Sequence, residues 1–579
     1  MLVVVLLLFS LGETESAGDS YVAAVYEHRV VLNPNPRIPV TRREALIHMQ
    51  KNLDIYEEQA AKAAQQGAQI LVFPEDGIHG FNFTRSSISG YLETIPDPQE
   101  ESWNPCTEPD KYNNTERLSC MARRNNLYLV ANMPDLQPCP LRTVLSTCPP
   151  DGRWQFNTNV AFNSDGLLVA RYHKYNLFFE ESFDTPPKLE LITFDTPFAG
   201  RFGLIICFDI LFHDPTVALV KMGVRQLIFP TAWMNELPLL DSIQFHRALS
   251  LGANVTVLSS NLRNDQLRMT GSGIYTPFSA TFHHAVKGDP EEGRLLVATV
   301  PVLSPVGMNN ATESMSPSPA ESDHCHTDRC GDFPSPPSSY PTFIGTMMHD
   351  PFKFVLIKEA EGNLTVCDGK FCCHLQYKWT AHDERKELYA MGAFAGTHTF
   401  DGRYALQVCA VVRCAGLEAS SCGQKVEEAE SKMDFLLEAT FQTDYVYPSV
   451  LVNRMAVEQP DKLEKATGGR LAMKHSNLSG GLITACLYGR ISSSAETEDS
   501  GLSGLQYEAW SGLRDGGVSN ATPLETWFEV GWWLITAWVR DKAGMAAIVT
   551  MGEVGIIELR MRAKQSATSR FGAQAKAGV

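Results

Sequence analysis

The feature that most restricts the fold of this chain is a helix pattern that runs straight into a short apolar strand pattern, after which strand patterns of the same kind recur. Over residues 44–66 apolar side chains at Leu46, Met49, Leu53, Tyr56, Ala60 and Ala63 return every three to four positions, and Gly67 supplies a stop. Residues 68–73 follow at once as Ala-Gln-Ile-Leu-Val-Phe, a run without sustained polar alternation and hence covered on both faces. Comparable runs occupy 202–207, 226–229 and 255–259, with helix-compatible stretches between them. Strands covered on both faces and interleaved with helices predict an α/β layered domain. Within it, 159–162 and 167–171 flank the turn Asn163-Ser-Asp-Gly166 and predict a β-hairpin.

Downstream the pattern changes. Residues 304–341 are rich in Ser and Pro and predict a linker or a long exposed loop. From 342 to 490 strand patterns dominate, among them 352–357, 364–367 and 371–375 around the Asp368-Gly369 turn, and 404–414; a β-rich, disulfide-stapled domain is expected. Residues 491–579 turn to Ser, Ala, Gly and Thr, hold five of the nine tryptophans, and fit neither domain. The 44% hydrophobic and 20% charged residues exclude disorder throughout, and the formal charge of −17 opposes docking on phosphate backbones or anionic lipid. No nucleic-acid partner is expected.

Residues 1–17, led by Met1-Leu-Val-Val-Val-Leu-Leu-Leu-Phe9, have the outline of a secretory signal. Asn-X-Ser/Thr acceptor triplets at Asn82, Asn113, Asn254, Asn310, Asn363, Asn477 and Asn520, together with 14 cysteines, point to the same oxidising route. No stretch reaches the ~20 apolar residues of a membrane span, and the polar end of the chain offers no tail for a lipid-anchor signal. A secreted, soluble monomer is the expectation.

Three strand-end segments carry groups suited to chemistry, since reactive groups in open α/β layers sit where strands end. Val72-Phe-Pro-Glu75 places a carboxylate directly after a buried strand. Glu75 is then either a capping or solvent-facing residue or a general base held in a low-dielectric cleft. Lys174 closes the predicted hairpin; taken alone, such a lysine reads as solvated surface. Cys207 ends the run 202–207 ahead of Phe208-Asp209. A strand-to-helix turn there would expose its sulfur as a nucleophile and leave the next N–H for an oxyanion, while a small core residue or half of a disulfide is the competing reading.

Together, in this order and context, Glu75, Lys174 and Cys207 resemble the Glu–Lys–Cys triad of the carbon–nitrogen hydrolases of the nitrilase superfamily. Segments 73–84, 193–203, 207–215, 230–235 and 269–274, and further on 386–392 and 407–414, are similar to the biotinidase and vanin branch of that superfamily. Segments 21–28, 80–85 and 195–201, and the absence of a hydrophobic terminus, lie closer to its biotinidase side. The resemblance implies an α-β-β-α sandwich over 18–303, a β-rich domain over 342–490, and an amidase that needs no metal and no organic cofactor. It implies Cys207 as nucleophile, Glu75 as general base and acid, and Lys174 with the backbone N–H of Phe208 around the oxyanion. Glu180 or Glu181 would be a second carboxylate that orients Lys174. The implied substrates are biocytin and biotinyl peptides, with biotinyl transfer to acceptor amines; a pantetheine amidase and a non-catalytic biotin carrier are the alternatives. One departure is Ile206, where many relatives carry Thr.

His324-Cys325-His326 and Cys330 have metal-ligand spacing, but in a Ser/Pro stretch of a chain read as secreted they are taken for disulfide cysteines, as are Cys372 and Cys373. Trp233, after a strand end, is a candidate pocket residue; Phe178 and Phe179 read as core. Setting Cys207 aside leaves thirteen of the 14 cysteines, an odd number. Cys486, where biotinidases tend to have Ala, is the one expected to stay unpaired, leaving twelve for up to six disulfides.

Overall fold

The computed structural model describes residues 19–108, 113–139, 148–286, 288–303, 341–380, 386–400 and 402–491, and the backbone of 545–551 and 557–563. The expected signal at 1–17, the Ser/Pro stretch up to 340 with His324, Cys325, His326 and Cys330, and the acceptor sites Asn310 and Asn520 lie outside the described residues.

Strand β1 (Ser20–Glu27) leads to helix α1 (Arg42–Gln65), which Thr41 opens through a capping box with Glu44. β2 (Ile70–Val72), α2 (Asn113–Asn125), β3 (Tyr128–Pro138), β4 (Arg153–Phe162) and β5 (Leu168–His173) follow, the last two forming the expected hairpin. Next come β6 (Thr193–Thr196), β7 (Gly200–Leu204), α3 (Ala218–Lys221), β8 (Gln226–Pro230), α4 (Ser242–Ala253), β9 (Thr256–Ser260), β10 (Ser272–Tyr275), β11 (Ala280–His283) and β12 (Arg294–Pro301). They build two six-stranded sheets, ordered β12-β1-β2-β3-β4-β5 and β11-β10-β9-β8-β7-β6. Each sheet has a parallel centre, β1-β2-β3 and β7-β8-β9, which is where the short, mainly apolar runs fall.

Strand periodicity sorts the two faces. In β1, Ala24 and Tyr26 belong to the same buried core as Met49, Leu53 and Tyr56 of α1 and Leu118 and Met121 of α2, whereas Ala23 and Val25 belong to the core that holds Phe202, Leu204 and Val257 of the second sheet. On the outer face of that sheet His246 of α4 sets its ring against Phe229 of β8. The result is the expected α-β-β-α sandwich.

The β-rich part comprises β13 (Thr342–Met347), β14 (Asp350–Leu356), β15 (Glu361–Asp368), β16 (Phe371–Trp379), β17 (Tyr389–His398) and β18 (Tyr404–Arg413), then β19 (Met433–Thr440), β20 (Val446–Val452), β21 (Ala456–Val457), β22 (Lys462–Lys465), β23 (Arg470–His475) and β24 (Leu482–Ile491). A seven-stranded sheet, β13-β14-β17-β18-β24-β20-β21, packs on a five-stranded one, β15-β16-β19-β23-β22. Cys373–Cys409 ties the two sheets together, while Cys367–Cys372 and Cys414–Cys422 close local loops; Cys106–Cys120 and Cys139–Cys148 lie in the α/β part. Among the described residues Cys207 and Cys486 are the free cysteines, both buried.

The two parts share one core. Phe245 of α4 meets the rings of Tyr447 and Tyr488 edge-on, and Gly252 approaches β20 so closely that a Cβ there would stand 2.1 Å from the Val446 carbonyl oxygen. Met1–Glu496 accordingly forms one compact unit, and Thr497–Val579 is a second, whose described part is the antiparallel pair β25 (Met545–Met551) and β26 (Ile557–Ala563). Among the described residues no helix is long and apolar enough to cross a membrane.

At the end of β1, Glu27 joins the sheets by accepting from Thr270 Oγ1 and Gly271 N, each at 2.9 Å. Burial pushes its carboxyl up from 4.5 to about 7, against the pull of these donors and of His284. Folding thus favours the protonated form: that stability is full below about pH 4.5 and is lost as pH rises through 7. Glu27→Gln removes the dependence. The drop in stability of the parent protein between pH 5 and pH 8, on the order of 3 kcal/mol from this group, should shrink in the variant; parallel pH profiles of the melting temperature would count against it.

Candidate active site

Four strand ends converge between the sheets. Phe73 still pairs with β3, its N–H donating to Val130 O at 2.9 Å, so Glu75 leaves the end of β2 in a fixed direction. Its Oε1 accepts from Lys174 Nζ at 2.7 Å and from Asn157 Nδ2 at 2.8 Å, and its Oε2 accepts from Ala232 N at 2.9 Å, just past β8. Lys174 is the first residue beyond β5, pinned there by its own N–H to Asn157 O at 2.8 Å. Its ammonium also holds Glu180, and Asn157 Nδ2 reaches Glu180 Oε2 at 2.8 Å. Of the two acidic candidates Glu180 therefore faces Lys174, while Glu181 turns outward to Arg37 at 3.1 Å.

Cys207 opens a short 3-10 turn, Cys207–Leu211, separated from the end of β7 by Ile205 and Ile206, with φ +41. A left-handed backbone costs a non-glycine residue roughly 1–3 kcal/mol and persists only where the surroundings enforce it. Asp209 supplies part of that constraint: its carboxylate accepts from Ile206 N at 3.0 Å, Tyr172 OH at 2.8 Å, and Asn176 N and Nδ2 at 2.9 and 2.8 Å. One buried carboxylate thus ties the elbow to the segment after Lys174. Burial lifts the Asp209 carboxyl to about 6 even against these donors.

The electrostatics assign protons. Burial pushes the Cys207 thiol up and the Glu75 charge adds to this, outweighing Lys174, the Thr231 hydroxyl and the Ala232 N–H. At rest the sulfur keeps its proton. Burial alone would lower Lys174, but Glu180 and then Glu75 hold it well above the ordinary lysine range, so it stays an ammonium. Such a site holds a buried thiol, a carboxylate already bonded to the cation, and a fixed positive charge. That set can transfer a proton from sulfur and stabilise an oxyanion.

Phe208 follows Cys207 in the turn, its ring against Phe178 and Phe212. Trp233 is buried one residue past Ala232; its indole donates to Leu240 O at 2.9 Å and its ring stacks on Phe245. Two further residues of the site stand at no strand end and carry no motif: Asn157, which bridges Glu75 and Glu180, and Asn132, which donates to Asn157 Oδ1 at 2.6 Å. The alternate polar positions 155, 157 and 159 in an otherwise buried strand are the signal that could have found Asn157.

Residues 46–278 match the carbon-nitrogen hydrolase family model and 342–495 the vanin C-terminal domain model. Over 483 residues, 83% of this chain and 95% of the relative, the chain is 66% identical to biotinidase of Takifugu rubripes. The chain belongs to the biotinidase and vanin branch of the nitrilase superfamily. This member of the branch is also similar to biotinidase of Homo sapiens, at 45% identity over 82% of this chain and 89% of that one, and to pantetheinase of Mus musculus, at 44% over 82% and 90%. The family expected from the motifs is the one matched, and with it a hydrolase of carbon–nitrogen bonds.

Proposed function

We propose that this chain releases biotin from biocytin and short biotinyl peptides. The 66% identity to a biotinidase over 95% of that relative's length carries the choice of substrate. The buried Glu75–Lys174–Cys207 arrangement supports the chemistry. Glu75 takes the proton from Cys207 Sγ as sulfur attacks the amide carbonyl carbon. Lys174 Nζ and the N–H of Phe208 hold the tetrahedral oxyanion, each donor worth ~2.7–4 kcal/mol. The C–N bond then breaks, Glu75 protonates the departing amine, and a thioester remains. Glu75 next removes a proton from water, whose oxygen attacks the thioester; biotin leaves as the acid and the thiol is restored. Glu180 keeps Lys174 oriented throughout.

Every group in this sequence comes from one chain, consistent with a monomer acting on a small amide. Secretion as a glycoprotein is part of the same reading: the five disulfides among the described residues need an oxidising compartment. Asn254, Asn363 and Asn477 are exposed, and Asn82 is half-buried. Asn113 heads α2.

The test is a comparison of kcat/KM for biocytin and pantetheine with the purified protein. Preference for biocytin by at least tenfold, about 1.4 kcal/mol, is expected; preference for pantetheine would overturn the substrate and leave the chemistry.

A further inference from the structure

We infer that the β-rich part positions the nucleophile by clamping the elbow that carries Cys207, through Gly402 and Tyr404 at the β17–β18 connection. The inference rests on Cys207 being the nucleophile. The strained φ of +41 at Cys207 needs restraint from more than one side. Asp209 restrains the elbow from within the α/β layers. On the other side the elbow presents two rings, Phe208 and Phe212, with centroids 5.0 Å apart. Phe178, four residues after Lys174, lies 5.0 Å from Phe208, and Tyr404 lies 5.5 Å from Phe212. An aromatic row therefore runs from the lysine segment, past the nucleophile, to the β-rich part.

Gly402 seats this row. With φ +128 its bare backbone faces both rings: a Cβ there would stand 3.1 Å from Phe212 Cζ and 3.4 Å from Phe208 Cζ. Tyr404 is itself held firmly. It is buried, His398 lies 4.8 Å from its ring, and the Arg490 guanidinium sits over its face at 4.9 Å. His398 in turn is bound to Asp350 at 2.7 Å, so the backstop is built from β14, β17, β18 and β24 at once. Pressure on Phe208 and Phe212 sets the direction of the Phe208 N–H and of the preceding sulfur. Phe212, Gly402 and Tyr404 touch no reacting atom; they are positioning residues.

The test uses Phe212→Ala, Phe212→Leu and Gly402→Ala in the full chain, each checked for an unchanged melting temperature. A misplacement of about 1 Å costs up to ~10²-fold, so Phe212→Ala should lower kcat by about 10- to 100-fold with KM within about threefold, and Phe212→Leu should fall between it and the parent. Alkylation of Cys207 by iodoacetamide, followed by mass spectrometry, should be several-fold faster in Phe212→Ala because the elbow loosens. Gly402→Ala combined with Phe212→Ala should lose less than the product of the single losses, since both act on one contact. Folded variants with kcat and alkylation rate within about twofold of the parent overturn the clamp, as does a rise in KM with kcat unchanged. If the parent turns over neither biocytin nor pantetheine, the functional reading fails, and the alkylation rates still decide the clamp. If Phe212→Ala does not fold, Phe212→Leu decides it.

Discussion

Cys207→Ala is expected to bring release of biotin from biocytin to background while the protein still folds with its disulfides intact. The sulfur makes the only covalent bond between protein and substrate in the proposed reaction, and without it Glu75 and Lys174 have no thioester to form or resolve. Removing a catalytic nucleophile elsewhere costs on the order of 10⁶ in kcat, the remainder coming from oxyanion donors and binding. The structural effect is small by comparison: one buried sulfur with no disulfide partner is lost, about 1 kcal/mol as a small core truncation. Biotin release and the melting temperature, measured together, separate the two. A folded Cys207→Ala protein retaining a tenth of parental activity would remove Cys207 from the mechanism.

Lys174→Met should lose both turnover and stability. The ammonium holds Glu75 and Glu180; Lys174 and Glu75 are buried and Glu180 is half-buried beside them. Deleting it leaves two carboxylates facing each other near Asp76, whose carboxyl burial already holds well above its ordinary range, with Glu75 and Glu180 adding to the effect. Breaking a buried pair by removing one partner costs roughly 3–5 kcal/mol. The sign of its pH dependence follows. Glu180 and Asp76 are already raised by burial against the pull of Lys174; without the cation they rise further above their unfolded values, so the folded state binds extra protons and stability falls as pH rises. The deficit against the parent should be large at pH 8 and shrink toward pH 5, where protons replace the lost cation, while turnover drops about 10²- to 10³-fold from the missing oxyanion donor. Denaturation midpoints of the two proteins at both pH values check this; equal midpoints at pH 8 would show that the lysine is not the counter-ion of the site.

Much of the fold was legible because it is written in short-range pattern. The 3.6-residue spacing of Met49, Leu53, Tyr56, Ala60 and Ala63 is the buried face of α1, with Leu46 half-buried at its edge, and the short runs read at 68–73, 226–229 and 255–259 carry the parallel strands β2, β8 and β9, buried along their whole length. β7 shows the limit of that pattern. The apolar run reads on to Cys207, yet the strand ends at Leu204, because Asp209 captures the Ile206 N–H and turns the chain into the elbow. An apolar run alone cannot show where a side chain three residues on will bend it.

The sequence by itself determined which residues stand at the strand ends, Glu75, Lys174 and Cys207, and the periodicities that put α1 and the parallel strands in layers. Only the tertiary structure decided that Lys174 reaches Glu75 across 99 residues and that Ala232 reaches it across 157. It also decided that Glu180 rather than Glu181 turns inward, and that Gly402 of the β-rich part rests on Phe208 and Phe212. The physical reason is range. Periodicity and turn chemistry act over a few residues, whereas a hydrogen bond or a ring contact depends on where two distant strands are brought together by burial, and no local pattern encodes that distance.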